Sequence, residues 1–292
     1  IWELDGLTVG HVTHVGARTG CTVVLASPAA QASGEVRGSA PANREFSLLD
    51  PMATVQRVDA VLLSGGSAFG LAAADGVVSW LAEHDRGFPT RWGRVPIVVG
   101  MSLFDLPTGD PDVRPSAADG YAAVAAAASG TGSHELGAVG AGAGATVGKW
   151  RGAELAVDAG LVGAVLREGP LVVGCLVAVN AWGDVVGAGR WAEPEPVIAT
   201  GDGSGSGGSD AFANTTIGVV ATNAALDKVG LQHVARGAHD GLARAVNPPH
   251  ASVDGDAFVS LATGRLDAPL DLVRWMAVKV VQQAITALPG PG

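Results

Sequence analysis

Aromatic side chains are scarce in this chain, with six Phe, seven Trp and a single Tyr making up 5% of 292 residues. A core short of rings has to close through Val, Leu, Ala and Ile packed at short range, and 43 glycines permit that approach. Basic residues are short as well: 18 Lys and Arg stand against 28 Asp and Glu, a net charge of −10, with no basic run. That excludes nucleic acid as a partner, because neutralising phosphates takes clustered cations. The acidic balance instead suits amine-bearing ligands. Cys21 and Cys175 both lie in apolar, strand-like runs and read as reduced core thiols of a cytoplasmic protein. No Cys/His cluster offers a metal site, and no cofactor is expected. There is no apolar span of membrane length and no basic-then-apolar leader, so no membrane partner is expected. The chain opens on Ile1, which reads as a trimmed N-terminus and leaves open a leader removed before it.

What is present is an interleaving of strands and helices, enough for one large α/β domain or two small ones. Strands are predicted over 7–12 and 21–26, then 60–63 and 95–99. His11 and His14, three apart on a strand, face opposite sides and make no metal pair. The strand at 60–63 runs through Ser64-Gly65-Gly66-Ser67 into a helix over 71–81, a turn that could cradle an anion or could simply bring helix close to sheet. An Ala-rich helix spans 117–128. The Gly/Ala run 137–150 imitates a Walker loop, but Ala143 and Trp150 occupy two of its fixed positions, so nucleotide binding is rejected. What survives is Lys149 on a loop of minimal side chains. A strand over 171–179 ends at Asn180 and is expected to form a hairpin with 185–188. Helices are predicted over 227–246, stopped by Pro248 and Pro249, and over 271–288. Asp254 and Asp256 lead into a strand over 257–262, where extended backbone puts both carboxylates on one face.

The most informative stretch is 201–223. Residues 203–209 are all Gly and Ser, a flexible composition, and Thr215 then opens an apolar β-branched run expected to be a buried strand. A hydroxyl at a strand start after such a lead-in suits an N-terminal nucleophile. Cleavage before Thr215 would free an α-amine, of unperturbed pKa about 7.7–8.0, to act as base for its own hydroxyl. Taken alone, the stretch reads first as a surface linker entering an ordinary strand, because Gly/Ser loops before strands are common.

The polar residues taken together decide between these. Asn214-Thr215-Thr216-Ile217 and Ala221-Thr222-Asn223 resemble the processing site of the N-terminal-nucleophile-like peptidases. That group holds the L-aminopeptidase/D-amidase/esterases, the β-peptidyl aminopeptidases and the nylon-oligomer hydrolases. The resemblance extends over nearly the whole chain through Val36-Arg37-Gly38, Gly65-Gly66-Ser67, Gly144-Ala145-Thr146-Val147-Gly148-Lys149, Val179-Asn180 and Asp254-Gly255-Asp256, in the same order. Where several members carry a tyrosine before an aspartate, this chain has Phe104 before Asp105. A tyrosine hydroxyl at the substrate or oxyanion position is therefore missing.

The resemblance implies an α+β fold, a four-layer α/β/β/α sandwich. One hydrolase domain would be cut between Asn214 and Thr215 into 1–214 and 215–292. It implies Thr215 as nucleophile on its own peptide and then on substrate, Lys149 as a neighbouring cation, and Asn180 as oxyanion donor. Asp256 would orient the α-amine or Lys149, and Asp254 would hold the loop or a substrate ammonium. Gly66 and Ser67 would offer backbone amides to the substrate. The implied activity is hydrolysis of small peptides, amino-acid amides or ω-amino amide oligomers by a homo-oligomer, commonly a tetramer of cleaved pairs. An acyltransferase of the ornithine acetyltransferase type is the alternative, sharing the self-cleaving threonine.

Overall fold

The computed structural model describes residues 1–130, 134–186 and 214–288. Two antiparallel strands, β1 (Leu7–His14) and β2 (Thr19–Val36), open the chain, followed by β3 (Ala42–Arg44) and β4 (Arg57–Ser64). Then come helix α1 (Ala73–Glu83), β5 (Val98–Ser102) and helix α2 (Ala117–Ala128). The hairpin β6 (Gly160–Glu168) and β7 (Leu171–Val179) precedes β8 (Ile217–Ala224), α3 (Lys228–Ala245), β9 (Ala257–Leu266) and α4 (Leu270–Thr286). These strands make one mixed nine-stranded sheet in the order β6-β7-β8-β9-β2-β4-β5-β3, with β1 on β2.

Strand alternation sorts the side chains into three cores. On β2, Cys21, Val23 and Leu25 meet Val77 and Leu81 of α1 and Val124 of α2. Val24 and Ala26 point the other way, into a cluster holding Leu63 of β4, Leu176 of β7, Val219 of β8 and Val259 of β9. On β7, Val173, Cys175 and Val177 meet Val234 and Leu242 of α3 and Val280 of α4. Both cysteines are buried and unpaired.

Three expectations are corrected. The strand expected to begin at Thr215 begins at Ile217, because Thr215 takes a backbone angle no strand accommodates, φ 124°. The strand expected to pair with 185–188 pairs instead with 160–168, whose two glycines and charged end hid its strand character. Asp184–Val185 pairs with Val246–Asn247, so Asn180 does not sit in a hairpin mouth. The Gly/Ser run 203–209, with residues 187 and 188, lies outside the described residues. Among the described residues no helix is long and apolar enough to cross a membrane.

Candidate active site

The parallel pair β8 and β9 is in register from Ile217 opposite Ala257, so the residues just before each strand are neighbours too. Asn214, Thr215 and Thr216 therefore lie beside Asp254, Gly255 and Asp256, all six buried. Gly255 N–H donates to Thr215 Oγ1 at 3.0 Å, and Thr216 N–H donates to Asp256 Oδ1 at 2.7 Å. Asp254 folds back to accept from Ala251 N–H at 2.9 Å. The two carboxylates thus serve different partners. The 37–40 segment clamps this turn, with Arg37 and Ala40 N–H groups donating to the carbonyls of Asp256 and Asp254. Gly38 is needed there, since a Cβ would stand 2.3 Å from Asp254 O.

On the other side of β8, the register of Ala178 opposite Ile217 brings Asn180, just past the end of β7, to the same place. Asn180 Oδ1 accepts from Lys149 Nζ at 2.8 Å and from Thr146 N–H at 3.0 Å. Its Nδ2 donates to Phe104 O at 2.9 Å. Gly148, at φ 79°, makes the left-handed turn that presents Lys149. Asp105, buried next to Phe104, accepts from Gly66 N–H at 2.7 Å, and Ser67 N–H donates to Leu103 O at 2.9 Å. The amides of Gly66 and Ser67, expected to meet substrate, are engaged inside the protein.

Burial drives the electrostatics. Removal from water pulls the Lys149 ammonium down to about 7 against the opposing pull of Asp254 and Asp105. Asp254 is pushed up, first by burial and then by the adjacent Asp256 charge. Asp105 is also raised by burial, against the Gly66 amide and Lys149. Among the described residues no group of His, Cys, Asp and Glu side chains could hold a metal ion.

Two residues of this neighbourhood carry no sequence signal. His250 Nδ1 lies 2.8 Å from Asp256 Oδ2. His239 stacks edge-on against both His250 and Phe258, with its Nε2 2.9 Å from Glu35 O. Burial lowers the His239 pKa from 6.5 to about 4. Between those values the unfolded chain binds a proton that the native chain does not, so stability falls as pH drops through that window. From pH 7 to 5 this histidine should cost the fold about 2 kcal/mol. Urea denaturation at the two pH values should show that loss, and His239→Phe should shrink it.

The profile of peptidase family S58 matches residues 1–288. An uncharacterized aminopeptidase of Mycobacterium leprae is 42% identical, over 92% of this chain and 79% of its own length. A 6-aminohexanoate-oligomer endohydrolase of Paenarthrobacter ureafaciens is 26% identical, over 92% of this chain and 76% of its own. The L-aminopeptidase D-Ala-esterase/amidase of Ochrobactrum anthropi, a variant of the Ntn-hydrolase fold, superposes with a TM-score of 0.69. It covers 97% of this chain and 84% of its own at 20% identity. These relatives do not favour the acyltransferase alternative. A family match along nearly the whole chain, with an aminopeptidase relative 42% identical, makes this protein a member of peptidase family S58, a hydrolase of amide bonds.

Proposed function

We propose that this hydrolase matures by cutting its own Asn214–Thr215 bond and then uses the freed Thr215 as nucleophile on small peptides, amino-acid amides or ω-amino amide oligomers. The observation that carries the reading is Thr215 itself. It is a β-branched residue at φ 124°, buried where two strands begin, with its hydroxyl oxygen held by the Gly255 amide. Such a backbone costs on the order of 1–3 kcal/mol and persists only where surroundings impose it. Cleaving the peptide before Thr215 relieves it.

In the uncut chain the Thr215 nitrogen is tied up in a peptide bond and cannot act as base. Lys149, held near neutrality by burial, is the group for that role, since a base is most effective when its pKa lies near the working pH. Thr215 Oγ gives up its proton and attacks the Asn214 carbonyl carbon. The C–N bond breaks as the Thr215 nitrogen takes a proton, leaving an ester on Oγ that water hydrolyses. The freed amine then serves as base for attack on substrate, and a second water clears the acyl-enzyme. Asp256 steers the Thr215–Thr216 backbone, and Asp254 holds the loop and offers negative charge to Lys149 and to a substrate ammonium. Asn180 contributes by holding Lys149; acting as an oxyanion donor requires its Nδ2 to leave Phe104 O. Phe104 offers substrate a ring without a hydroxyl.

Three successive cores, helix on sheet, sheet on sheet and sheet on helix, support reading the fold as the four-layer α/β/β/α sandwich. Pieces 1–214 and 215–292 would then stay together, because β8 lies between β7 and β9. A homo-oligomer, a tetramer of cleaved pairs, and a cytoplasmic setting belong to the same proposal. Purified protein should release amine from at least one of an amino-acid amide, a dipeptide and a 6-aminohexanoate oligomer. Complete self-cleavage with no release from any of the three would reject this substrate class.

A further inference from the structure

We infer that His250 is a positioning residue, whose Nδ1–H fixes the Asp256 carboxylate so that Oδ1 stays on the backbone beside Thr215. The inference rests on the reading of Asp256 as part of the active site. Both Asp256 oxygens are engaged, Oδ1 by Thr216 N–H at 2.7 Å and Oδ2 by His250 Nδ1 at 2.8 Å. Asp256 is 2% exposed, so water does not replace a lost partner. A carboxylate held at one oxygen only can turn about its terminal torsion, which is broad. Held at both, it has one orientation.

The tautomer follows from the surroundings. His250 Nε2 is buried without a hydrogen-bond partner among the described residues. A proton there would be an unsatisfied donor, so the neutral ring carries its proton on Nδ1 and gives it to Asp256. His239 fills the space behind, its ring centroid 5.0 Å away, and has its own Nε2 directed at Glu35 O, leaving Nδ1 without a partner among the described residues. The backbone of His250 is left-handed, at φ 51°, a conformation uncommon outside glycine. Nothing in this set touches the reacting bond directly. The effect should therefore fall on rate and not on substrate affinity.

Asparagine and glutamine separate the two ring nitrogens. The amide of His250→Asn sits near the position of Nδ1, and that of His250→Gln near the position of Nε2. Self-cleavage rate, kcat and KM on an amino-acid amide, and Tm would be measured for both, with Asp256→Asn alongside. His250→Gln should lose about 10- to 100-fold in self-cleavage and in kcat with KM nearly unchanged, the range found for groups that orient an essential ligand or base. His250→Asn should recover most of that loss. Equal losses in the two variants, tracking a fall in Tm, would make His250 a packing residue and overturn the inference. His250→Gln as fast as the parent, beside an impaired Asp256→Asn, would overturn it while leaving the active site intact. An unimpaired Asp256→Asn would overturn the reading of Asp256 itself.

Discussion

Thr215→Ala should remain one uncut chain and lose about 10⁴- to 10⁶-fold in amide turnover, the scale of loss when a nucleophile is removed and only binding remains. Thr215→Ser keeps a hydroxyl and should process, more slowly, to an active enzyme. Thr216 is the internal control. Its Oγ1 is buried without a hydrogen-bond partner among the described residues, while its N–H is the group Asp256 holds. Thr216→Val matches its shape and removes only that hydroxyl, so processing and turnover should be unchanged and stability equal or slightly higher. Gels and amine release read all three variants. A dead, uncut Thr216→Val beside an active Thr215→Ala would move the nucleophile by one residue.

Lys149 should matter almost as much, and in a way that depends on pH. Its pKa is lowered from 10.5 to about 7, so the neutral amine accumulates as pH rises through 7. Self-cleavage of the uncut chain should rise with pH over the same range and level off above it. Lys149→Arg keeps a cation, but a guanidinium does not lose its proton in a protein, so it cannot be a base. Self-cleavage of this variant should fall by about 10²- to 10⁴-fold, the usual worth of a general base. The Asn180 contact to Lys149 gives a second handle. Asn180→Asp places a carboxylate where Oδ1 now accepts from Nζ, which should raise the Lys149 pKa and move the rise in rate to higher pH. A Lys149→Arg chain that processes at the parent rate would leave Lys149 a cation and nothing more.

Most elements could be read because their apolar residues form an unbroken run, as on β7, or repeat at helical spacing, as in α4. The strand β6 could not, since two glycines and the Arg167-Glu168 end break the alternation. The length of β2 was also hidden, because the Ser27-Pro28 step interrupts a strand that resumes and pairs with β9. The site was legible as residues before it was legible as a place. Thr215, Lys149, Asn180, Asp254 and Asp256 belong together because β8 lies between β7 and β9, a long-range pairing with no local signature. Asp105 entered only as the neighbour of Phe104, and a lone histidine after two prolines gave His250 no mark at all. The amides of Gly66 and Ser67 misled for a physical reason: a glycine turn looks open in sequence, whereas here a buried carboxylate fills it.

The most direct test of the central claim is the intact mass of the purified, active protein under denaturing conditions, with N-terminal sequencing of each component. Two masses are predicted, one ending at Asn214 and one beginning Thr-Thr-Ile at Thr215. A single full-length mass from a preparation that turns over substrate would contradict self-processing, and with it Thr215 as an N-terminal nucleophile.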